Sequence, residues 1–414
     1  MSKIRFLISG LIILALFIGV LFITNSFEQQ DETERGIPVD ALESQSYKIK
    51  IHIINEKSLS PQRLADALYA KASLLDDDDL ISQAAKLDPN DPVYLYRQTF
   101  SGSGILRLFA MGEEKNDQRP NTRLLLKKCI AIDPNYLPAR YAIALQELDY
   151  DQAKQELEKI AEIDKSNAKP YYVMAFLRYR LITRGNKVIP ESDGCAFSLS
   201  KSEWAEVLEL LKQGNSRPEL RATQARLPSS RDIRVVTDGN IWPKAAVDSY
   251  MYLYLNDILS GGLEEMPCGF PTGAQARQIA RQAMWEAKKA YKNGNRAEGM
   301  EMLSVVHDFA DKYASSKPNR FIPFLVASAV HNILWKTQED ILQSAGDMRS
   351  LEKMRLRRAE WKRAIKLCMP LISKTSVNVP DVKISPKQTL QYTDFAAEEE
   401  GVEEILKLLS LHNH

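Results

Sequence analysis

Cys129-Ile130-Ala131-Ile132-Asp133-Pro134-Asn135-Tyr136 is the stretch on which the reading of this chain turns. It is the end of an amphipathic helix closed by a turn, because Pro134 has no amide proton and its ring clashes with a continuing helix. Two further segments end alike: Ala84-Ala85-Lys86-Leu87-Asp88-Pro89-Asn90-Asp91 and Ile160-Ala161-Glu162-Ile163-Asp164-Lys165-Ser166-Asn167. In the last of these Lys165 takes the place of the proline. With Pro89, Pro134 and Lys165 as anchors, the agreement reaches beyond the turn. Ile81, Leu126 and Leu157 stand eight residues earlier, Ala84, Cys129 and Ile160 five earlier, and the small Thr99, Ala144 and Ala175 ten later. Ala153, twelve before Lys165, supplies another small position. Large residues at one helical spacing and small ones at another are what a closely packed helix pair requires.

On these residues the chain resembles the tetratricopeptide repeat family. The Leu/Ile-Asp-Pro-Asn turn, the small residue in the first helix of each hairpin and the apolar position in the second match its pattern. The anchors are spaced 45 and then 31 residues, against a family period of about 34. The first gap implies an insertion near Gly102 to Asn121 and the second a shortened hairpin. The resemblance covers residues 60–185 and implies a concave groove, lined by first-helix side chains, that holds an extended or helical peptide. The positions it assigns to that groove are Tyr96, Tyr141 and Tyr172, seven after each anchor, and Phe100, Leu145 and Phe176, eleven after. Such an aromatic stripe suits hydrophobic anchors, with tyrosine hydroxyls free for peptide backbone. The competing reading packs the same stripe as core.

Beyond residue 185 helical patterning persists while the period is lost. Trp204 to Leu211 is amphipathic and stops at Gly214-Asn215; Pro243 to Leu259 carries Tyr250, Tyr252, Tyr254 and Leu255. Ala274 to Tyr291, the turn Asn293-Gly294-Asn295 and Arg296 to Ala314 read as a hairpin, followed by a helix over Arg320 to Ser344. Loops fall at Ile189–Phe197 and Pro267–Thr272. The expected fold is all-α: an α-solenoid of tetratricopeptide-like hairpins after an N-terminal transmembrane helix.

That N-terminal helix is read from Phe6 to Thr24, nineteen residues without a charge behind the basic head Met1-Ser2-Lys3-Ile4-Arg5. At 1.5 Å per residue the run spans about 28 Å, close to the hydrocarbon thickness of a bilayer. Lys3 and Arg5 precede it; Glu28, Asp31, Glu32 and Glu34 follow. The basic flank is expected to stay cytoplasmic, leaving the bulk extracytoplasmic, periplasmic in a bacterium. A cleaved leader would show a shorter apolar run and a small-x-small site, which Thr24-Asn25-Ser26 matches poorly. The domains expected are therefore an anchor (1–27), an acidic linker with a short strand (28–58), the repeats (59–188) and a degenerate helical region (189–414). The strand rests on Tyr47 to Ile54, which alternates at period two and stands alone in a helical chain.

Composition narrows the function classes. The 414 residues carry 55 Lys+Arg against 54 Asp+Glu, so no bulk attraction for nucleic acid is expected. Four cysteines are too few for a disulfide-built scaffold. Cys129 and Cys368 sit at apolar helical positions; Cys195 and Cys268 lie in loops and form a candidate disulfide in an oxidising compartment, other pairings remaining open. Asp76 to Asp79 lacks the alternating ligands of a calcium loop and suits a helix start. His52, His307, His331, His412 and His414 show no metal-ligand spacing, so neither a metal nor a cofactor is expected. Ser198-Leu199-Ser200-Lys201 fits S-x-x-K, but its Ser-Asp-Asn and Lys-Thr-Gly companions are missing.

Arg349 to Lys366 holds eight basic residues, Arg349, Lys353, Arg355, Arg357, Arg358, Lys362, Arg363 and Lys366, against Glu352 and Glu360. Leu351, Met354, Trp361, Ile365 and Cys368 share one helical face, leaving the rest positive and fit for anionic lipid heads or an acidic partner, or for charge balance with the acidic segment Glu398–Glu404. The function expected is non-catalytic: a scaffold or adaptor that presents its groove to a protein or peptide partner, another copy of itself included. The alternatives are an envelope enzyme with its site in residues 190–414, marked by convergent acidic or histidine side chains, and a structural spacer.

Overall fold

Three turns built on aspartate organise the N-terminal half. At each, the aspartate amide donates to the carbonyl four residues back: Asp88 to Ala84 (3.1 Å), Asp133 to Cys129 (2.9 Å) and Asp164 to Ile160 (2.9 Å). The aspartate carbonyl then accepts from the residue three further on, Asp91, Tyr136 and Asn167, at 3.4, 3.0 and 3.1 Å. The same hydrogen bonds close the helix with proline or with Lys165 in the second turn position. The geometry therefore comes from the aspartate-led turn, and proline only forbids the alternative. This is a computed structural model; it describes residues 49–75, 77–99, 119–146, 149–190, 196–221, 229–237, 240–241, 273–316, 321–385, 388–393 and 395–410.

Within those residues stand thirteen α-helices. They are α1 (Pro61–Leu75), α2 (Asp78–Leu87), α3 (Pro92–Gln98), α4 (Arg119–Ile132), α5 (Leu137–Gln146), α6 (Tyr150–Ile163) and α7 (Lys169–Gly185), then α8 (Lys201–Asn215), α9 (Gly273–Lys292), α10 (Arg296–Ala314), α11 (Phe321–Ser344), α12 (Met348–Thr375) and α13 (Phe395–Ser410). Consecutive helices pack on one another from α1 to α8 and again from α9 to α13, with α8 also on α10 and α9 on α11. The chain is mostly helical with packed sequential pairs. Its apolar repeat positions are inside: Ile81, Leu126, Leu157, Ala84, Cys129, Ile160, Ala144, Ala153 and Ala175 are all buried.

Local chemistry explains the helix ends. Asp77 opens α2 by accepting from the amides of Asp79 (3.0 Å) and Leu80 (3.3 Å), so the acidic run is a helix start; Asp76 lies outside the described residues. Ser200 and Glu203 form a reciprocal capping box at α8, which places the S-x-x-K match, Ser198 to Lys201, across the start of a helix. Gly294, at φ 82°, turns α9 into α10 in the left-handed region that glycine occupies without strain, while the Asn295 amide reaches back to the Ala290 carbonyl (2.9 Å).

An all-α description is too narrow. β1 (Ile49–Ile53) pairs antiparallel with β2 (Ile233–Thr237), Ile51 opposite Val235, and β2 pairs with β3 (Asn240–Ile241). The alternating segment at the start of the repeats thus has its strand partner some 180 residues downstream, and Ile51, Ile233 and Val235 are buried on the paired sheet. A second antiparallel pair, β4 (Ser376–Ser385) with β5 (Gln388–Thr393), intervenes between α12 and α13, where only helices were expected.

Two apolar cores result. One joins α1 to α5 around Tyr69, Tyr94, Tyr96 and Leu126; the other runs from Tyr141 to Ile405 and draws on both sides of residue 188. Among the described residues no helix is long and apolar enough to cross a membrane. The apolar run Phe6–Thr24, the helix over 243–259 and the loop at 267–272 lie outside them, as does the expected insertion up to residue 118; its last residues, 119–121, open α4.

Candidate functional site: a groove between helical repeats

The aromatic stripe is core, and this corrects its assignment to an open groove. Tyr96, Tyr141, Tyr172 and Phe176 are 3%, 1%, 1% and 6% exposed, and Leu145 packs partly buried against the same cluster; Phe100 lies outside the described residues. Each ring has a neighbour that fills the space a peptide would need. Tyr96 meets Tyr136 edge-on at 5.7 Å, and the Lys169 ammonium lies 4.7 Å above the Tyr141 ring. Tyr172 and Phe176 both pack on Phe309 of α10, at 5.0 and 5.8 Å. The Tyr172 hydroxyl donates to Asn215 Oδ1 (2.7 Å), whose amide donates to the Val305 carbonyl (2.9 Å). A helix more than a hundred residues away therefore covers the face that the repeat pattern leaves open. Burial holds the Tyr172 phenol well above its ordinary value.

An open groove lies instead between α4, α5 and α6. It encloses about 450 Å³ and is lined by Arg123, Lys127 and Ile130 of α4, Arg140 and Ile143 of α5, and Gln152, Gln155, Glu156 and Lys159 of α6. The spacing explains the lining: Arg123, Lys127 and Ile130 recur every three to four residues on α4, as do Gln152, Gln155, Glu156 and Lys159 on α6. Ile143 is 8% exposed and forms an apolar floor. Arg140 is fixed at the back, donating from Nε to the Pro134 carbonyl (2.7 Å) and from Nη1 to Glu156 Oε2 (2.9 Å). Lys159 takes the other carboxylate oxygen at 2.8 Å. Four cations thus face one carboxylate over a narrow apolar base, with two side-chain amides on the rim. Such a surface suits an extended acidic segment: the cations take carboxylates and the amides pair with main chain.

Tertiary structure also assembles a constellation that residue spacing hides. His307 of α10 and His331 of α11 meet through Nδ1 atoms 2.7 Å apart. His331 Nε2 lies 2.9 Å from Asp311 Oδ1, and Arg357 of α12 pairs with the other oxygen of Asp311. Gln338 lies beside His307, while Trp335 stacks on His331 at 5.1 Å and Trp361 packs tilted against it at 4.4 Å. One proton arrangement fits these distances: His331 carries its proton on Nε2 toward Asp311, and His307 donates from Nδ1 to the bare Nδ1 of His331, while neither Nε2 makes a hydrogen bond of good geometry among the described residues. Burial first, and then the neighbouring ring and Arg357, hold His307 well below the usual histidine value; burial lowers His331 against the pull of Asp311. His331 is fully enclosed and His307 is 5% exposed, so both rings are shielded from bulk solvent, while Asp311 and Arg357 are partly exposed. Among the described residues no group of His, Cys, Asp and Glu is arranged to hold a metal ion.

Cys129 and Cys368 are buried and outside any disulfide, and burial raises the Cys129 thiol to about 12, which makes it inert as a nucleophile. Cys195 and Cys268 lie outside the described residues. In the basic helix, Arg355 and Arg358 pair with Glu339 and Arg357 with Asp311, so these three face α10 and α11. No protein-family model, curated protein or solved structure matches the chain.

Proposed function

We propose that the chain is a membrane-anchored scaffold of tetratricopeptide-like hairpins whose extracytoplasmic part binds a protein or peptide partner. The observation that carries this reading is the groove of α4, α5 and α6, with Arg123, Lys127, Arg140 and Lys159 set over Ile130 and Ile143. Its occupant is an extended, acidic segment of the partner. The anchor reading is supported by the uncharged run Phe6–Thr24 and its asymmetric flanks. The stacked pairs from α1 to α8 support the repeat reading through nearest-neighbour packing.

The test is capture of partners by the full-length chain from its own membranes after mild crosslinking, beside the variant Arg123→Glu with Lys127→Glu. Both residues are exposed, so their reversal leaves the fold in place. A partner retained by the native chain and lost by the variant supports the groove. The same partners recovered at equal yield from both would remove it.

One observation favours the envelope-enzyme alternative: acidic and histidine side chains do converge within residues 190–414, at His307, His331 and Asp311. Catalysis there requires an opening past Trp335 and Trp361. Diethyl pyrocarbonate separates the readings, since a pair that reacts with the native chain as fast as exposed His52 would be accessible to substrate.

A further inference from the structure

The outward face of α12 uses few of its charges inside the protein. Arg355, Arg357 and Arg358 are taken by Glu339 and Asp311, yet Arg349, Lys353, Lys362, Arg363 and Lys366 are exposed and take no partner among the described residues. Glu400, Glu403 and Glu404 of α13 form no ion pair with them, although α13 packs on α12. Among the described side chains of that acidic segment, which exclude Glu398 and Glu399, none balances these charges.

Large apolar side chains share the face. Leu356 is 61% exposed, Leu367 43% and Met348 62%, while Leu351, Met354, Trp361, Ala364 and Cys368 are buried on the opposite side. Arg349, Lys353, Leu356, Glu360, Arg363 and Leu367 follow one another at intervals of three and four, a single stripe about 27 Å long. Leucines standing in water between arginines and lysines have no role in a core that is already complete. They suit a surface into which short apolar side chains dip while cations remain at the level of phosphates.

We propose that this stripe docks on an anionic lipid surface, that of the bilayer holding Phe6–Thr24. The proposal rests on the anchor reading and goes beyond it. Residues 28–45, read from the sequence as a polar linker, are eighteen in number and can reach at most about 60 Å. A surface held within that distance of a membrane binds it at high effective concentration, so a contact too weak to recruit a free protein suffices here. Two carboxylates, the exposed Glu352 and the half-buried Glu360, temper the charge and make the contact reversible and sensitive to salt. Docking would orient the scaffold on its membrane instead of leaving it on a free leash.

The experiment uses the full-length chain reconstituted in liposomes of phosphatidylcholine alone or of phosphatidylcholine mixed with phosphatidylglycerol. Lysines are modified briefly with acetic anhydride, an uncharged reagent, and quantified by mass spectrometry. Lys353, the lysine within the stripe, should react roughly five-fold more slowly in the anionic vesicles, with full reactivity restored at about 1 M salt. Lys201, exposed at the start of α8, should react alike in both. Arg349→Glu with Arg363→Glu should restore the reactivity of Lys353 in anionic vesicles. Equal reactivity in the two lipids would overturn the proposal. So would protection that persists in neutral vesicles, because a protein contact would then cover the helix. Retention of the chain by neutral vesicles through an alkaline carbonate wash tests the anchor separately, and its loss there would count against the anchor whatever α12 does.

Discussion

Gly214 shows how much one residue carries in this fold. A Cβ built there would lie 2.3 Å from Cε1 of Tyr172, well inside van der Waals contact. The glycine, read in the sequence as a helix stop, is needed because α7 and α8 approach through the Tyr172 ring. Gly214→Ala should cost about 1–3 kcal/mol by urea unfolding, since the ring is also held by Phe309 and Asn215 and cannot move aside. An unchanged midpoint would show that the ring has room to turn and that the interface is looser than drawn. Tyr172 itself was legible as an apolar helical position. That it faces a distant helix and not a groove was not, because period alone gives the direction of a side chain and not what lies in front of it.

At the scale of elements, buried polar groups fasten irregular segments to the helices. Gln282 of α9 is fully buried; its Oε1 accepts from the Phe197 amide (2.8 Å) and its Nε2 donates to the Phe197 carbonyl (3.0 Å). The side chain stands in for a neighbouring strand, satisfying backbone groups of the 196–199 segment that lead into the capping box of α8. Gln282→Leu should therefore cost about 1–3 kcal/mol for each orphaned group. It should also speed tryptic cleavage between Lys187 and Lys201 in the native protein. Equal cleavage rates would mean that the segment is held by other contacts. β1 makes the same point from the other side: its period-two pattern announced a strand, but the partner β2 is named by no local signal.

For the whole molecule, the histidine pair links stability to pH. Around it stand Asp308, Asp311 and Lys312 from α10, Gln338 and Trp335 from α11, and Arg357 and Trp361 from α12. Both rings have folded-state values below the unfolded one, about 6.5. The stability tied to their neutral forms is thus present above pH 6.5 and lost as pH falls below it, by up to about 1.4 kcal/mol per pH unit for each ring. Geometry agrees for His331, because its bare Nδ1 is the atom a second proton must take, and that sets two N–H groups against each other across a 2.7 Å gap. The full chain in mild detergent should have a clearly lower urea midpoint at about pH 5 than at about pH 7.5. His307→Asn with His331→Asn should flatten the dependence even where it lowers stability throughout. An equal midpoint at the two pH values in the native chain would mean that water reaches the pair.

Sequence alone determined the helical character, the three aspartate turns, the buried repeat positions and several helix ends, Arg296–Ala314 among them. These are local matters: a turn, a cap or an apolar stripe is specified within about ten residues, where backbone hydrogen bonding and side-chain period act directly. Tertiary structure decided which apolar stripes are covered, and by whom. It buried Tyr172 and Phe176 against α10, left the groove of α4, α5 and α6 open, joined β1 to β2 and brought His307 to His331. Each depends on segments far apart in the chain meeting at one place, and the free energy of that meeting belongs to the pair, so neither segment records it alone.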